Sequence, residues 1–171
     1  MALPRKLKNF NLFMNGANYV GVAEELTLPK ITRKLEAYRG GGMNGSVQID
    51  MGLDDGALDS ELTLGGADID VYRQWGASTI DAVQLRFCGA YQRDDTGEVL
   101  AVEVVLRGRY SEIDPGNWKS GDNTQTKVTV KPTYYKLVMD GQEIIEIDIV
   151  NMVEKVDGKD LLQAQRDALG L

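Results

Sequence analysis

The sequence contains no histidine and a single cysteine, Cys88. Histidine is the commonest general base and the commonest transition-metal ligand in proteins. Its absence excludes Ser-His-Asp and Cys-His catalysis as well as the zinc sites built from cysteine and histidine. A single cysteine also excludes an intrachain disulfide framework. We therefore expect a protein that is not an enzyme and holds neither a metal nor a cofactor.

Long apolar runs are also missing. No stretch approaches the ~18 apolar residues of a membrane span, so we expect no membrane insertion. The first residues lack the apolar core and cleavage site of a signal peptide, which predicts synthesis in the cytoplasm. A length of 171 residues suits one domain, 1–171, with a real hydrophobic core.

Basic residues are absent between Arg39 and Arg73. That segment contains seven acids, which are Asp50, Asp54, Asp55, Asp59, Glu61, Asp68 and Asp70. The rest of the chain carries 19 acidic and 19 basic residues, so the net charge of −7 originates in this segment. Such a charge distribution argues against binding nucleic acid through its phosphates, which requires basic patches. A solvated surface is the plainer interpretation.

A long β-hairpin is predicted over Val83–Ile113. Apolar residues alternate with polar ones on both sides of a turn that contains Gly97, which is typical of paired strands. The second strand is apolar on both faces, as expected for a central strand or for one covered by a neighbouring subunit.

The remaining patterns complete a mainly β protein. Asn15-Gly16 and Asp140-Gly141 predict tight turns, and Tyr19–Val22 is predicted to return as a strand after the first of them. A short helix is expected over Ala67–Ala77, capped by Asp68 or Asp70, and a second over Lys159–Leu171. Seven to nine strands then form a two-sheet β-sandwich or partly closed barrel, with a flanking short α-helix and a short C-terminal helix.

Glycines are concentrated in one stretch, Arg39–Ser46. Its sequence formally matches the dinucleotide-binding pattern G-x-G-x-x-G, but an alternating, strand-like run follows it instead of a helix. We expect a flexible loop over about residues 39–52 that orders on contact. Its members at the glycine-rich end are Arg39, Gly40, Gly41, Gly42, Met43, Asn44, Gly45 and Ser46.

Two adjacent acid pairs, Asp54-Asp55 and Asp94-Asp95, are formal candidates for acid–base or metal chemistry. Neighbouring residues on an extended strand point to opposite faces, so such a pair does not converge. Both pairs also lie beside glycine, where aspartate favours turns. Turn formation is the better interpretation, although a carboxylate-based hydrolase stays open as an alternative.

Several blocks, taken together and in order, resemble the major tail tube protein of contractile-tailed bacteriophages and the tubes of R-type tailocins. They include Leu28–Glu36, Tyr38–Ser46, Gly52–Asp55, Gln92–Glu98, Arg107–Arg109, Glu112–Gly116, Tyr134–Leu137, Asp140-Gly141, Glu146–Asp148, Asn151-Met152 and Leu169–Leu171. The resemblance covers essentially the whole chain.

The resemblance implies a structural subunit of a virion tail or tailocin particle, assembled in the bacterial host. Subunits would form hexameric rings that stack into a hollow tube for DNA passage or envelope puncture. The implied partners are other copies of the chain, a sheath protein, a baseplate or tube initiator and a tail terminator, with DNA only in transit.

Two hypotheses assign residues to that function. The loop Arg39–Ser46 is expected to contact the next ring or subunit. If the acids Asp50, Asp54, Asp55, Asp59 and Glu61 line the bore, they would repel DNA phosphates and speed DNA passage. The alternative function from another class is a β-sandwich module that binds a carbohydrate or other ligand, which would require a concave aromatic cluster.

Overall fold

The structure, a computed structural model that describes all 171 residues, consists of twelve strands and two short helices. In chain order they are β1 (Lys6–Met14), β2 (Ala17–Asn18), β3 (Ala23–Thr27), β4 (Arg33–Tyr38), β5 (Val47–Leu53), β6 (Ser60–Leu64), α1 (Ile69–Gln74), β7 (Val83–Gln92), β8 (Val99–Asp114), β9 (Thr126–Met139), β10 (Gln142–Asp148), β11 (Val153–Val156), β12 (Lys159–Asp160) and α2 (Gln163–Leu169). Neither helix has the length and apolar character needed to span a membrane.

Strand β9 organises the larger of the two sheets. Along its whole length it pairs with β8, but its other edge has two partners. Residues 126–130 pair with β6, whereas residues 134–139 pair with β10. The change of partner occurs around Pro132, which has no N–H to donate to a ladder. The sheet therefore divides into a β3–β6 branch and a β10–β11–β12 branch.

Inward-facing side chains from both parts of this sheet form one core. The fully buried members include Leu12 and Met14 of β1, Leu62 and Leu64 of β6, Val71 of α1, Val83 of β7, Val104 and Leu106 of β8, and Val128 and Val130 of β9. The prediction of a mainly β, sandwich-like protein with two sheets is confirmed. The sheet does not close into a barrel, because it ends at β2 on one side and at β12 on the other.

The predicted central hairpin is confirmed as β7 and β8, which pair from Val83↔Gly108 to Gln92↔Val99. Gly97 has a φ of 72°, a conformation that glycine adopts without strain. Val83, Leu85 and Phe87 face the core together with Val102, Val104 and Leu106. The opposite face of β8 is left partly exposed, with Val99 exposed by 58%.

Both helices form where they were expected, although they are shorter. Asp68 caps α1 by accepting hydrogen bonds from the backbone N–H groups of Asp70 (2.8 Å) and Val71 (3.3 Å). The Tyr110 hydroxyl donates to Gln74 Oε1 (2.5 Å) and fixes α1 to the sheet. Helix α2 ends at Gly170, which adopts the left-handed conformation. Lys159 and Asp160, predicted as helical, instead form β12.

The prediction of a strand over Tyr19–Val22 is wrong. The Tyr19 side chain turns into the core, where it is 5% exposed, and its hydroxyl donates to Asp68 Oδ1 (3.4 Å). Burial and the Asp68 carboxylate raise the pKa of Tyr19 to about 12. Gly21, with a φ of 81°, then lets the chain turn into β3. The return strand is limited to the two residues of β2.

Candidate functional site

The smaller sheet is an arm, Arg33–Leu53, made of β4, β5 and the loop between them. These two strands pair only with each other, from Arg33↔Leu53 to Tyr38↔Val47. Every residue of β4 is exposed, and so is every residue of β5 except the half-buried Leu53. A two-stranded hairpin that lacks a third strand is marginally stable in water, so the arm is an element that gains from a partner.

One face of the arm carries four large apolar side chains, and Glu36 of β4 lies on the same side. Cross-strand pairing puts Tyr38 opposite Val47 and Glu36 opposite Ile49, and the alternation of β5 puts Met51 on the same side. The exposed fractions are 56% for Tyr38, 49% for Val47, 43% for Ile49 and 55% for Met51. A contiguous group of large exposed apolar side chains marks an interaction surface. We call Tyr38, Val47, Ile49 and Met51 the apolar face of the arm.

The tip loop, Arg39–Ser46, is a turn with its own hydrogen bonds. The Met43 N–H donates to the Gly40 carbonyl (3.3 Å), and Arg39 Nε donates to the Met43 carbonyl (3.3 Å). Residues 47–52, included in the wider predicted loop, belong to β5. The expected flexibility of the tip loop, and its role between rings, stay predictions.

At the base of the arm, one guanidinium contacts two carboxylates. Arg33 Nη1 donates to Asp50 Oδ2 (3.1 Å) within the arm, and Arg33 Nη2 donates to Glu154 Oε1 on β11. The Asp54 N–H donates to the Thr32 carbonyl (2.9 Å), which closes the base of the hairpin. Leu53 packs against the main core. These contacts join an otherwise solvent-exposed element to the body.

The five acids proposed to line a bore lie on or near the arm. Asp50 pairs with Arg33, and Asp59 pairs with Lys131 of β9. Asp54 and Asp55 lie in the turn after the arm and border a cavity of about 430 Å³ between that turn and β10–β11. Glu61 is exposed on β6. Their orientation toward a bore stays a prediction, and two of the five, Asp50 and Asp59, already form ion pairs with basic residues of the same chain.

A concave surface of about 660 Å³ is lined mainly by residues of β1, β7 and β8. Ala90 and Ala101 give it a small-residue floor, and Arg86 pairs with Glu103 across it (3.0 Å). Phe10 is its single aromatic lining residue. A concave cluster of aromatic residues, which the ligand-binding alternative requires, is therefore not found here.

The tyrosines of β9 and the acid pair of the β7–β8 turn have partners within the chain. Tyr135 is buried in the core, whereas Tyr134 lies under the Arg107 guanidinium, 3.8 Å from its ring centre. Asp94 pairs with Lys8 (2.8 Å), and Asp95 pairs with Arg93 (2.5 Å) in the β7–β8 turn. Burial raises the pKa of the Cys88 thiol. No group of three or more acidic or cysteine side chains converges as metal ligands would.

Sequence reasoning missed the apolar face of the arm. The alternation of Val47, Ile49 and Met51 is visible in the sequence, but the same alternation is found in strands that cover a core. Only the isolation of β4 and β5 from the large sheet shows that this face has no cover within the subunit.

Comparison with known proteins agrees with this architecture. The chain is 56% identical over 172 residues to the tail tube protein of Escherichia phage P2, with both chains fully covered. It is 45% identical over 161 residues to the major tail tube protein of Serratia phage KSP20, covering 94% of this chain and 92% of that one.

A solved structure shares the fold. A chain in the cryo-EM structure of the anti-feeding prophage baseplate, 6-fold symmetrised, has a TM-score of 0.56 at 11% identity. The match covers 81% of this chain and 97% of that chain. Residues 4–170 also match the family described as phage tail tube protein FII. The chain therefore belongs to the phage tail tube protein family.

Proposed function

We propose that this chain, acting as one domain over residues 1–171, is a non-catalytic subunit of a contractile tail tube. It self-assembles into stacked hexameric rings that form a hollow conduit for DNA passage or envelope puncture. Support comes from two full-length or nearly full-length tail tube relatives and from a fold shared with a chain of a 6-fold symmetrised baseplate. The sheath, the tube initiator and the tail terminator are its further partners in the virion tail or tailocin particle.

The observation that carries this proposal is the apolar face of the arm. Each subunit has one such arm, so an arm that binds the body of a second copy leaves the second copy's own arm free. Contacts of this head-to-tail kind generate rings when they close and open polymers when they do not. In the proposed tube the arm and its tip loop, Arg39–Ser46, contact the adjacent ring.

The test removes the apolar face without touching the body. The double substitution Val47→Ser and Ile49→Ser is expected to abolish tubes in negative-stain electron microscopy and to leave a folded, low-mass species by light scattering. Leu35→Ser is the matched control, because Leu35 is 52% exposed on the other face of the same arm. Normal tubes from the double variant would overturn the proposed role of this face.

The acids of the basic-free segment belong to the same proposal. Asp50, Asp54, Asp55, Asp59 and Glu61 line the bore and repel the phosphates of DNA in transit, which is not bound sequence-specifically. Asp50 and Asp59 have basic partners, so the sharper variant changes Asp54, Asp55 and Glu61 to Asn, Asn and Gln. We expect intact tubes and slower DNA delivery. Delivery at the normal rate would contradict a role of these charges in passage.

A further inference from the structure

Arg33 forms the single hydrogen-bonded link between the arm and the body. Of the side chains in Arg33–Leu53, Arg33 alone donates to or accepts from a residue outside the arm and its adjoining turns. Its partner, Glu154 of β11, has a side chain that is only 9% exposed. No other side chain donates to the Glu154 carboxylate.

The connections on either side of the arm anchor its base, since Ala57 and Leu58 are buried, but no helix or strand continues from the body into the arm. The residues before β4, Leu28–Thr32, and those after β5, Asp54–Asp59, contain no helix or strand. Leu53 packs against the core, but an apolar contact has no preferred direction. A guanidinium, by contrast, donates through a planar, rigid fork. Arg33 donates through Nη1 to Asp50 of β5 and through Nη2 to Glu154 of β11.

We propose that Arg33 and Glu154 are positioning residues that hold the arm at the angle required for docking on a second copy. The proposal rests on the proposed assembly function and adds the residues that prepare a subunit for it. If only a fraction of free subunits has the arm at the docking angle, the apparent affinity falls by that fraction. The Arg33–Glu154 pair keeps that fraction high before any partner arrives.

Glu154→Gln is the informative variant, because it removes the charge on the body and leaves Arg33 paired with Asp50. Arg33→Met is less useful, since it would leave a buried carboxylate without a cation and destabilise the body. Asp50→Asn is the matched control, because it removes the pair inside the arm and keeps the pair between arm and body. Arg33→Lys serves as a second variant, since an ammonium retains the charge and loses the fork.

The arm angle is measured on dilute, unassembled protein by pulsed electron paramagnetic resonance. Spin labels are placed at Ser46→Cys in the tip loop and Lys127→Cys on β9, in a Cys88→Ser background, and circular dichroism checks the fold. We expect a narrow distribution of label-to-label distances when Arg33 and Glu154 are both unaltered, including in Asp50→Asn. Glu154→Gln and Arg33→Lys are expected to broaden it. An unchanged distribution in both variants would overturn the proposal.

Assembly is measured separately as the lowest protein concentration at which tubes form. A tenfold loss of correctly oriented arms raises that concentration about tenfold in Glu154→Gln, whereas Asp50→Asn stays near the starting value. A broadened arm with unchanged assembly would refute the link between angle and docking. Absence of tubes from the unaltered chain, even with a nucleating baseplate, would instead count against the proposed function and leave the distance measurement valid.

Discussion

Gly108 occupies the most crowded position of any glycine in the chain. It lies on β8 opposite Pro132 of β9, at an irregularity in the β8–β9 ladder. A Cβ atom built on Gly108 would lie 2.6 Å from Pro132 Cα and closer still to the Lys131 carbonyl oxygen. These neighbours are backbone atoms and cannot rotate away, so the two strands can approach here only without a side chain.

We expect Gly108→Ala to lower the free energy of unfolding by about 1 to 3 kcal/mol, as for other overpacked interiors. Gly76→Ala is the control, because a Cβ there meets only the Arg73 carbonyl oxygen at an ordinary 3.7 Å. Urea unfolding of unassembled protein, followed by circular dichroism, measures both. Equal stability of the two variants would show that the β8–β9 crossing relaxes more easily than the structure implies.

Asp95 links the β7–β8 turn to the N-terminal residues. Its carboxylate accepts from Arg93 Nε (3.0 Å) and Nη2 (2.5 Å) and from the Leu3 backbone N–H (3.2 Å). The Arg93 hydrogen bonds, followed by that of Leu3, lower the pKa of Asp95 from 3.8 to about 2. Because the folded state favours the charged form, the stability that Asp95 contributes is complete only above about pH 5 and is lost as the pH falls through 2.

Asp95→Asn is therefore expected to reduce stability at neutral pH and to approach the stability of the unaltered protein near pH 2. Thermal unfolding between pH 2 and 6 gives the difference in stability between Asp95→Asn and the unaltered protein at each pH. Asp122→Asn is the control, because the exposed Asp122 carboxylate pairs only with Lys119 (3.8 Å). We expect this variant to have nearly the stability of the unaltered protein throughout that pH range. A stability difference for Asp95→Asn that is as large at pH 2 as at pH 6 would point to a cause other than its charge.

At the scale of elements, the arm contributes little to the stability of the body. Its strands pair only with each other, and its apolar face covers no part of the core. Replacing residues 34–52 by two glycines, with Arg33 and Leu53 retained, is expected to shift the unfolding midpoint by only a few degrees. The same deletion is expected to abolish tubes. Scanning calorimetry measures the unfolding midpoint, and electron microscopy shows whether tubes form. A body that is unfolded without its arm would contradict the expected small shift in midpoint.

Elements defined by neighbouring residues were predictable from the sequence. The β7–β8 hairpin follows from alternation on either side of Gly97, and the turns at Asn15-Gly16 and Asp140-Gly141 have positive φ at both residues. The turn at Asp157-Gly158 carries the same signal and was missed. Tyr19 failed as a strand residue because its hydroxyl partner, Asp68, is 49 positions away. Distant partners of this kind leave no local pattern.

The candidate site was predictable only in part, because its defining property is the absence of a neighbour. The tip loop was recognised from its glycines, whereas the isolation of β4 and β5 was not. The Arg33–Glu154 pair joins residues 121 positions apart and has no sequence signature. Whether Asp54, Asp55 and Glu61 face a bore depends on where other copies lie, which one chain does not encode in any local pattern.

At the scale of the whole molecule, charge and association oppose each other. Each subunit has a net charge of −7, so copies repel one another, while the apolar face of the arm favours contact. The Debye length falls from about 30 Å at 0.01 M salt to about 10 Å at 0.1 M. We expect tubes to form at lower protein concentration as salt rises from roughly 0.01 to 0.1 M. Light scattering follows their onset, and dissolution of tubes by salt would mean that ion pairs dominate the contact.

The divided pairing of β9 also determines when the subunit can finish folding during translation. Leu62 of β6 pairs with Val128 of β9, 66 residues later, so the core side of β6 stays uncovered until β9 has left the ribosome. At 5–20 residues per second this interval lasts on the order of 3 to 13 s. The arm, whose strands are neighbours in sequence, has left the ribosome well before then, although a two-stranded hairpin alone is only marginally stable. A nascent chain therefore exposes the apolar residues of the arm before its body has folded, and we expect crowding of such chains on one messenger RNA to favour premature association.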